Sequence, residues 1–282
     1  MLAVIGGSGL YQLEGLEIEK QFDVSTPFGR PSSAIAKGSY RGRQILFLAR
    51  HGSAHQLLPH EVNYRANIYA LKQLGARQVF SLSAAGSLRP EIKPGDLALV
   101  SQYFDHTRGL RERSFFGNGV VAHVSTANPA CPKLSGDIAK AAKAIGQPLH
   151  LDKTYGCVEG PRLGTRAESH FLRAAANCDL VGMTNIPEAF LAREAQLAYC
   201  SMCLVTDYDC WMDDPEQHVS VDKFFEVYSS TLAKAVSLLG QLLAEPLSET
   251  PDDIRNALQR SVLTPLDSLN PDQREWLEVL QQ

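Results

Sequence analysis

Short apolar runs alternate with stretches of helical period along most of this 282-residue chain, and that alternation restricts it to an α/β architecture. The runs at 2–6 (LAVIG), 44–50 (QILFLAR), 76–82 (ARQVFSL) and 96–101 (DLALVS) read as strands. Between the second and third, Val62, Ala66, Ile68, Tyr69 and Leu71 fall near helical spacing, and the pattern stops at Gly75, a good helix C-terminus. The rhythm continues with a helix at 133–146, a strand at 153–160, a helix at 166–176, a strand at 179–183, a helix at 187–195 and a strand over 197–209. Residues 219–245 form a long amphipathic helix, with Ser220 placed to cap its N-terminus. The expectation is a main domain over 1–245. Beyond it, prolines punctuate short helical segments that have no core of their own, so 246–282 reads as a helical extension expected to pack at a subunit interface.

A hydrophobic content of 44% supplies a sizeable core. The net charge of -4 leaves no excess of positive charge to hold a polyanion, so nucleic acid is not an expected partner. No stretch approaches membrane-spanning length, and the N-terminal apolar run lacks the flanks of a secretory leader, so the expected location is the cytoplasm. Six cysteines are few for the length and lie mostly in apolar segments, as reduced thiols do. Cys200 and Cys203 make the one C-x-x-C pair, but on a strand positions i and i+3 point to opposite faces, which rules against a shared metal or a redox pair. No metal site is expected.

Candidate chemistry gathers at strand ends. The first strand runs into Gly6-Gly7-Ser8-Gly9, a turn able to offer N–H groups and a hydroxyl to an anion. It is not a dinucleotide fingerprint, because the third glycine of that motif would fall at Gln12. The second strand ends in Arg50-His51-Gly52, the third in Ser83-Ala84-Ala85-Gly86-Ser87, and Thr184 follows the 179–183 strand. These ends carry neutral and cationic donors and no carboxylate, the composition that convergence on one oxyanion requires. The strand ending in Val205-Thr206-Asp207-Tyr208-Asp209 differs: two carboxylates at i and i+2 share a face if the backbone stays extended, and paired acids point to proton work.

Those segments, with VNYRANIYALK, SLRPEIKPGD, EGPR, RAES, GMTNIPEA and TDYDCW, resemble the 5′-methylthioadenosine phosphorylases of the trimeric purine nucleoside phosphorylase superfamily, in the family's order from residue 4 to about 225. The resemblance implies a single α/β domain, a twisted mixed β-sheet flanked by helices, assembled as a homotrimer with sites at subunit interfaces. It implies phosphate held at Ser8, Arg50, His51, Ser83, Ala84 and Thr184, and Met183 under the ribose. Ala85, Gly86 and Leu163 fall beside the base, and Asp207, supported by Asp209, faces its N7 and 6-amino group. The 5′ group is expected against Val221, Phe224 and Phe225, with His123 and Leu263 contributed by a neighbouring subunit. The co-substrates are a nucleoside and inorganic phosphate, with no metal or organic cofactor. An amino group wants an acceptor and ionised Asp is acceptor-only, so 6-aminopurines are expected over 6-oxopurines, with 5′-methylthioadenosine first and adenosine as the alternative. Three departures bear on the 5′ and ribose region: Phe224 and Phe225 are bulkier than the aliphatic residues common there, Gly182 stands where Asn is frequent, and the loop MDDPEQH is a residue longer.

Overall fold

The computed structural model describes residues 1–7, 13–212 and 221–282, the first three of the last segment by backbone alone. Ser8, Ser220 and the side chain of Val221 therefore lie outside the described residues. Nine strands, β1 (Leu2–Gly6), β2 (Leu16–Phe22), β3 (Ile35–Tyr40), β4 (Arg43–Ala49), β5 (Gln78–Ser87), β6 (Leu97–His106), β7 (His150–Val158), β8 (Leu180–Gly182) and β9 (Ala198–Asp207), form one mixed sheet in the order β2-β3-β4-β1-β5-β8-β7-β6-β9. Because β5 also pairs in parallel with β9, the segment β5-β8-β7-β6-β9 closes on itself as a ring.

Helices cover both faces, so β1 is buried at every residue and reads as a continuous apolar run. Its alternate side chains go to different cores. Leu2 and Val4 join Phe47, Phe80 and Leu82 against α2 (Pro132–Ala144) and α5 (Val221–Ala244). Ala3 and Ile5 join Leu46, Leu48 and Val79 against α1 (Tyr64–Gln73) and α4 (Asn185–Glu194). The helix starts are chemically marked: Asn63 accepts from the Ala66 N–H at 3.1 Å to open α1, and Pro132 sits in the first turn of α2. A capping box of Thr165 and Glu168 opens α3 (Arg166–His170).

The mixed, helix-flanked α/β sheet is the architecture expected from the sequence. The ring closure was not expected, and neither were β2 and β3. Five of the seven residues of β2 are exposed, so this edge strand has no buried stripe for a periodicity to reveal. The helix expected over 166–176 also differs: α3 is short and passes into a π-helical turn at Phe171–Ala175. The extension, with α6 (Asp252–Arg255) and α7 (Pro271–Gln281), packs on its own chain, placing Ile254 in the first core and Leu258, Trp276, Leu277 and Leu280 in the second. Cys200 and Cys203 sit in different clusters on opposite faces of β9, and both are free thiols.

Candidate active site

The end of β5 is where the predicted groups meet. Arg50, just past β4, is 2% exposed and reaches across β1, which lies between β4 and β5. Its Nη1 donates to the Leu82 carbonyl at 2.9 Å and its Nη2 to Ser81 Oγ at 2.6 Å. Nε and Nη2 also grip Glu188 of α4 at 2.7 and 2.9 Å, a bidentate pair with no solvent contact on the carboxylate. Four of the five N–H groups of Arg50 are thus spent on the protein, leaving one on Nη1 for a ligand. Burial opposes the charge, but Glu188 outweighs it and holds the guanidinium more firmly protonated than usual.

His51 follows directly. Its Nδ1 lies 2.8 Å from the Leu57 carbonyl, which can only accept, so Nδ1 carries the proton. Burial, and then the charge of Arg50, push the imidazole pKa down to about 4. The ring is neutral near pH 7 and presents a bare Nε2. Its ring also packs on His55, with centroids 4.7 Å apart.

Thr184 arrives by a route the sequence did not reveal. Strand β8 is antiparallel to β5, so its end does not project beyond the sheet as the other donor strands do. It runs back along β5 instead, pairing Val181 with Gly86 and bringing 184 and 185 beside Ser83. Ser83 Oγ donates to Asn185 Oδ1 at 3.1 Å, and the Thr184 N–H points to Tyr155 Oη at 3.4 Å. Arg50, Ser83 and Thr184 are therefore neighbours, with Ala84 half-buried between Ser83 and the acid pair.

The acid pair lies on Gly86. A register shift in the β5–β9 ladder after Ala85 sets Gly86 against Asp207, and a Cβ at 86 would come within 2.9 Å of Asp207 Oδ1 and 3.3 Å of Asp209 Cβ. The expectation that 207 and 209 share a face of an extended strand is corrected: β9 ends at Asp207, and Asp209 turns into the left-handed region at φ 50. That turn lets the Asp209 N–H donate to Asp207 Oδ1 at 2.8 Å, while Thr206 Oγ1 donates to Oδ2 at 2.6 Å. Burial and the adjacent Asp207 raise the Asp209 carboxyl above the usual range. Trp211 Nε1 anchors the turn on the Ser87 carbonyl at 2.7 Å, and Cys210 Sγ reaches the Gly164 carbonyl at 3.5 Å. Ser83 and Gly86 are three residues apart on one strand, about 10 Å, so the donors and the acids occupy one strand end.

Met183 is held against Gly160, where a Cβ would stand 2.5 Å from Met183 Sδ. Leu163 is 71% exposed, Phe225 59% and Leu263 61% in the single chain. Phe224 stacks on Tyr228 at 6.0 Å, and Tyr228 Oη would meet a Cβ at Gly7 at 3.2 Å. His123 and Leu263 are brought to each other: the His123 N–H donates to Ser261 O and the Leu263 N–H to Val121 O, flanking a bridge between Ala122 and Val262. Among the described residues no hydrogen bond or ring contact joins that pair to Phe224 or Phe225. Three residues of the site were missed from sequence. Glu188 stands at i−3, i−4 and i−7 from Leu191, Ala192 and Ala195, a charge on an apolar stripe that could have been noticed. Tyr155 and Arg111 carried no signal. Among the described residues no group of His, Cys, Asp and Glu is arranged to hold a metal ion, and no helix is long and apolar enough to cross a membrane.

A mixed sheet that closes on itself, with hydrogen-bond donors and an acid pair on one strand end, is the frame of an α/β enzyme. The chain belongs to the Phosphorylase superfamily, whose profile matches residues 1–239. Within it, the chain is 43% identical over 280 residues to the S-methyl-5′-thioadenosine phosphorylase of Geobacter sulfurreducens, covering 99% of this chain and 97% of the relative. The S-methyl-5′-thioadenosine phosphorylase of Hyperthermus butylicus is 44% identical, over 94% of this chain and 95% of its own. A methylthioadenosine phosphorylase from an antarctic soil metagenomic library superposes with a TM-score of 0.93 at 42% identity, covering 99% and 98% of the two chains. A point mutant of the adenosine/methylthioadenosine phosphorylase from Schistosoma mansoni, in complex with adenine, superposes at 0.86 with 32% identity, covering 93% and 98%.

Proposed function

We propose that this chain transfers the 5-methylthioribosyl group of 5′-methylthioadenosine to inorganic phosphate, releasing adenine and 5-methylthioribose 1-phosphate. The observation that carries the reading is the packing of Asp207 and Asp209 on Gly86, three residues along β5 from Ser83. One nucleoside and one phosphate laid along that strand end put a leaving purine at the acids and an attacking oxygen at the donors. The relatives that match nearly the whole chain carry this activity in their names.

In this reading Ser8, the remaining Nη1 hydrogen of Arg50, the Ser83 hydroxyl turned from Asn185 to the anion, the Ala84 N–H and Thr184 hold the phosphate. The bare Nε2 of His51 accepts the hydrogen of a hydrogen phosphate. A phosphate oxygen then bonds to C1′ as the bond from C1′ to the purine breaks, through an oxocarbenium-like sugar that the phosphate charge stabilises. Asp207, backed by Asp209, takes up a proton from solvent as the nucleoside binds and passes it to N7 of the departing base, while its other oxygen accepts from the 6-amino group; the carboxylate left behind is reprotonated from solvent before the next turnover. Ala85, Gly86 and Leu163 flank the base and Met183 lies under the ribose. Val221, Phe224 and Phe225 bury the methylthio group, joined by His123 and Leu263 of a neighbouring subunit. That contribution requires a homo-oligomer, for which we take the trimer, and it places the exposed Leu163, Phe225 and Leu263 and the 246–282 extension near the interface. The reaction needs no metal or organic cofactor, and we place the enzyme in the cytoplasm, free of nucleic acid and membrane. The Schistosoma mansoni relative, which is named for both nucleosides, favours adenosine as the second substrate.

The test is incubation with methylthioadenosine, adenosine and inosine, each with and without phosphate, with detection of free base. Adenine released from methylthioadenosine only when phosphate is present is the expected result. Release without phosphate would make the enzyme a hydrolase, and preference for inosine would remove Asp207 from base recognition.

A further inference from the structure

Arg111 lies in the loop after β6, is 6% exposed, and spends every N–H it has. Nε donates to Glu159 Oε1 at 2.8 Å, and Nη2 to the Glu159 carbonyl at 2.8 Å and the Val158 carbonyl at 3.4 Å. Nη1 donates to the Met183 carbonyl at 2.7 Å and the Ile186 carbonyl at 2.5 Å. The guanidinium also lies over the ring of Tyr64, 5.6 Å from its centroid. A counter-ion alone would have satisfied the charge, and Glu159 supplies one. What distinguishes this arginine is that it binds backbone carbonyls on two separate chain segments. One is the end of β7 leading into Gly160 and Leu163. The other is the junction of β8 and α4, which carries Met183 and Thr184.

The carbonyls of Ile186 and Met183 have a reason to need it. Ile186 has φ -113 and ψ 129 within the first turn of α4, so its carbonyl leaves the helical direction. Met183 precedes the helix and lies beyond the ladder of β8. The two segments touch through Gly160 and Met183, where a Cβ on the glycine would have to displace the Met183 thioether. Both segments are also tied to the one guanidinium that lies behind them.

We propose that Arg111 is a positioning residue that fixes the spacing between the base wall at 159–163 and the ribose and phosphate wall at 183–184. The assignment rests on the roles given above to Leu163, Met183 and Thr184. It touches no reacting atom. Its effect is on the geometry in which nucleoside and phosphate meet, where a displacement of about 1 Å costs on the order of 100-fold in rate.

The experiment is steady-state kinetics of Arg111→Lys, with methylthioadenosine and phosphate varied separately, alongside the wild-type chain and a thermal melt. A lysine keeps the charge and can reach one or two of these oxygens, not both segments in a fixed plane. The expected result is a folded variant in which the KM values for both substrates rise together and kcat/KM falls by roughly 100-fold. Added guanidinium ion should restore part of the rate to Arg111→Ala and none to wild type. A folded Arg111→Lys with both KM values and kcat within about twofold of wild type overturns the proposal, as does a lower melting temperature with unchanged kinetics. If neither variant folds, Glu159→Gln decides by the same criterion, since it weakens the hold on Nε without removing the guanidinium. A wild-type chain inactive with methylthioadenosine and phosphate overturns the phosphorylase reading itself, and this role with it.

Discussion

Replacing Glu188 with leucine strands Arg50. The carboxylate is fully buried and accepts four hydrogen bonds: two from Arg50 at 2.7 and 2.9 Å, one from Ser81 Oγ at 2.6 Å and one from the Tyr199 hydroxyl at 2.9 Å. Removing one partner of such a pair leaves a charge that neither water nor protein compensates, at a cost of about 3–5 kcal/mol. The orphaned Tyr199 hydroxyl adds roughly 1–3 kcal/mol. Against a total stability of about 5–15 kcal/mol, Glu188→Leu alone should fold poorly or not at all. Removing both charges is different, because an apolar pair of similar volume in place of a buried ion pair is often neutral or stabilising by about 1–4 kcal/mol. The double variant Arg50→Met/Glu188→Leu should therefore lie closer to wild type in urea denaturation at fixed protein concentration than either single variant does. Its phosphorolysis should still be impaired, with a phosphate KM raised by at least about 10-fold, since one charge-assisted bond is worth about 1.5–3 kcal/mol. Equal destabilisation of the single and double variants would refute the pairing argument. An unchanged phosphate KM in a folded double variant would refute the place of Arg50 in the anion site.

Gly86→Ala should lower kcat/KM by roughly 10-fold or more while the fold survives, because the added Cβ drives into Asp207 and Asp209 and displaces the acids by a few tenths of an ångström; kinetics beside a melt check this. Asp207→Asn should depress adenine-nucleoside cleavage by roughly 100-fold or more and narrow the preference over inosine, read as the ratio of the two kcat/KM values. The His51 pKa of about 4 lies below the ordinary value of about 6.5. The unfolded chain therefore takes up the proton first, and the stability this residue contributes is complete above about pH 6.5 and is lost as pH falls toward about 4. His51→Gln should flatten that part of the urea-midpoint profile, and an unchanged slope would show that the imidazole is not held neutral.

Much of the frame was legible because buried parallel strands are uninterrupted apolar runs and the helices are amphipathic. What escaped had physical reasons. The edge strand β2 buries no stripe, and the π-helical turn after α3 has the composition of an ordinary helix. Ring closure depends on β5 serving both β8 and β9, a pairing choice with no local signature. The donors proposed for the anion were picked out by residue type at strand ends, yet Thr184 comes beside Ser83 by an antiparallel strand and not from a common edge. The acids were readable as a pair, while their actual relation depends on the turn at Asp209 and the bare backbone at Gly86. Arg111, in an aperiodic loop, becomes visible only when the carbonyls it serves are in place.

Tyr155, fully buried in the ring, has its hydroxyl where a Cβ on residue 182 would have to be. These two positions are consequently one unit of sequence change. Putting any larger side chain at Gly182 first drives a phenol out of a packed interior, whereas trimming Tyr155 first opens a void, so each single step passes through a damaged protein. An asparagine at this place requires a smaller or differently directed neighbour across from it. Grafting one here on its own would fail for lack of room.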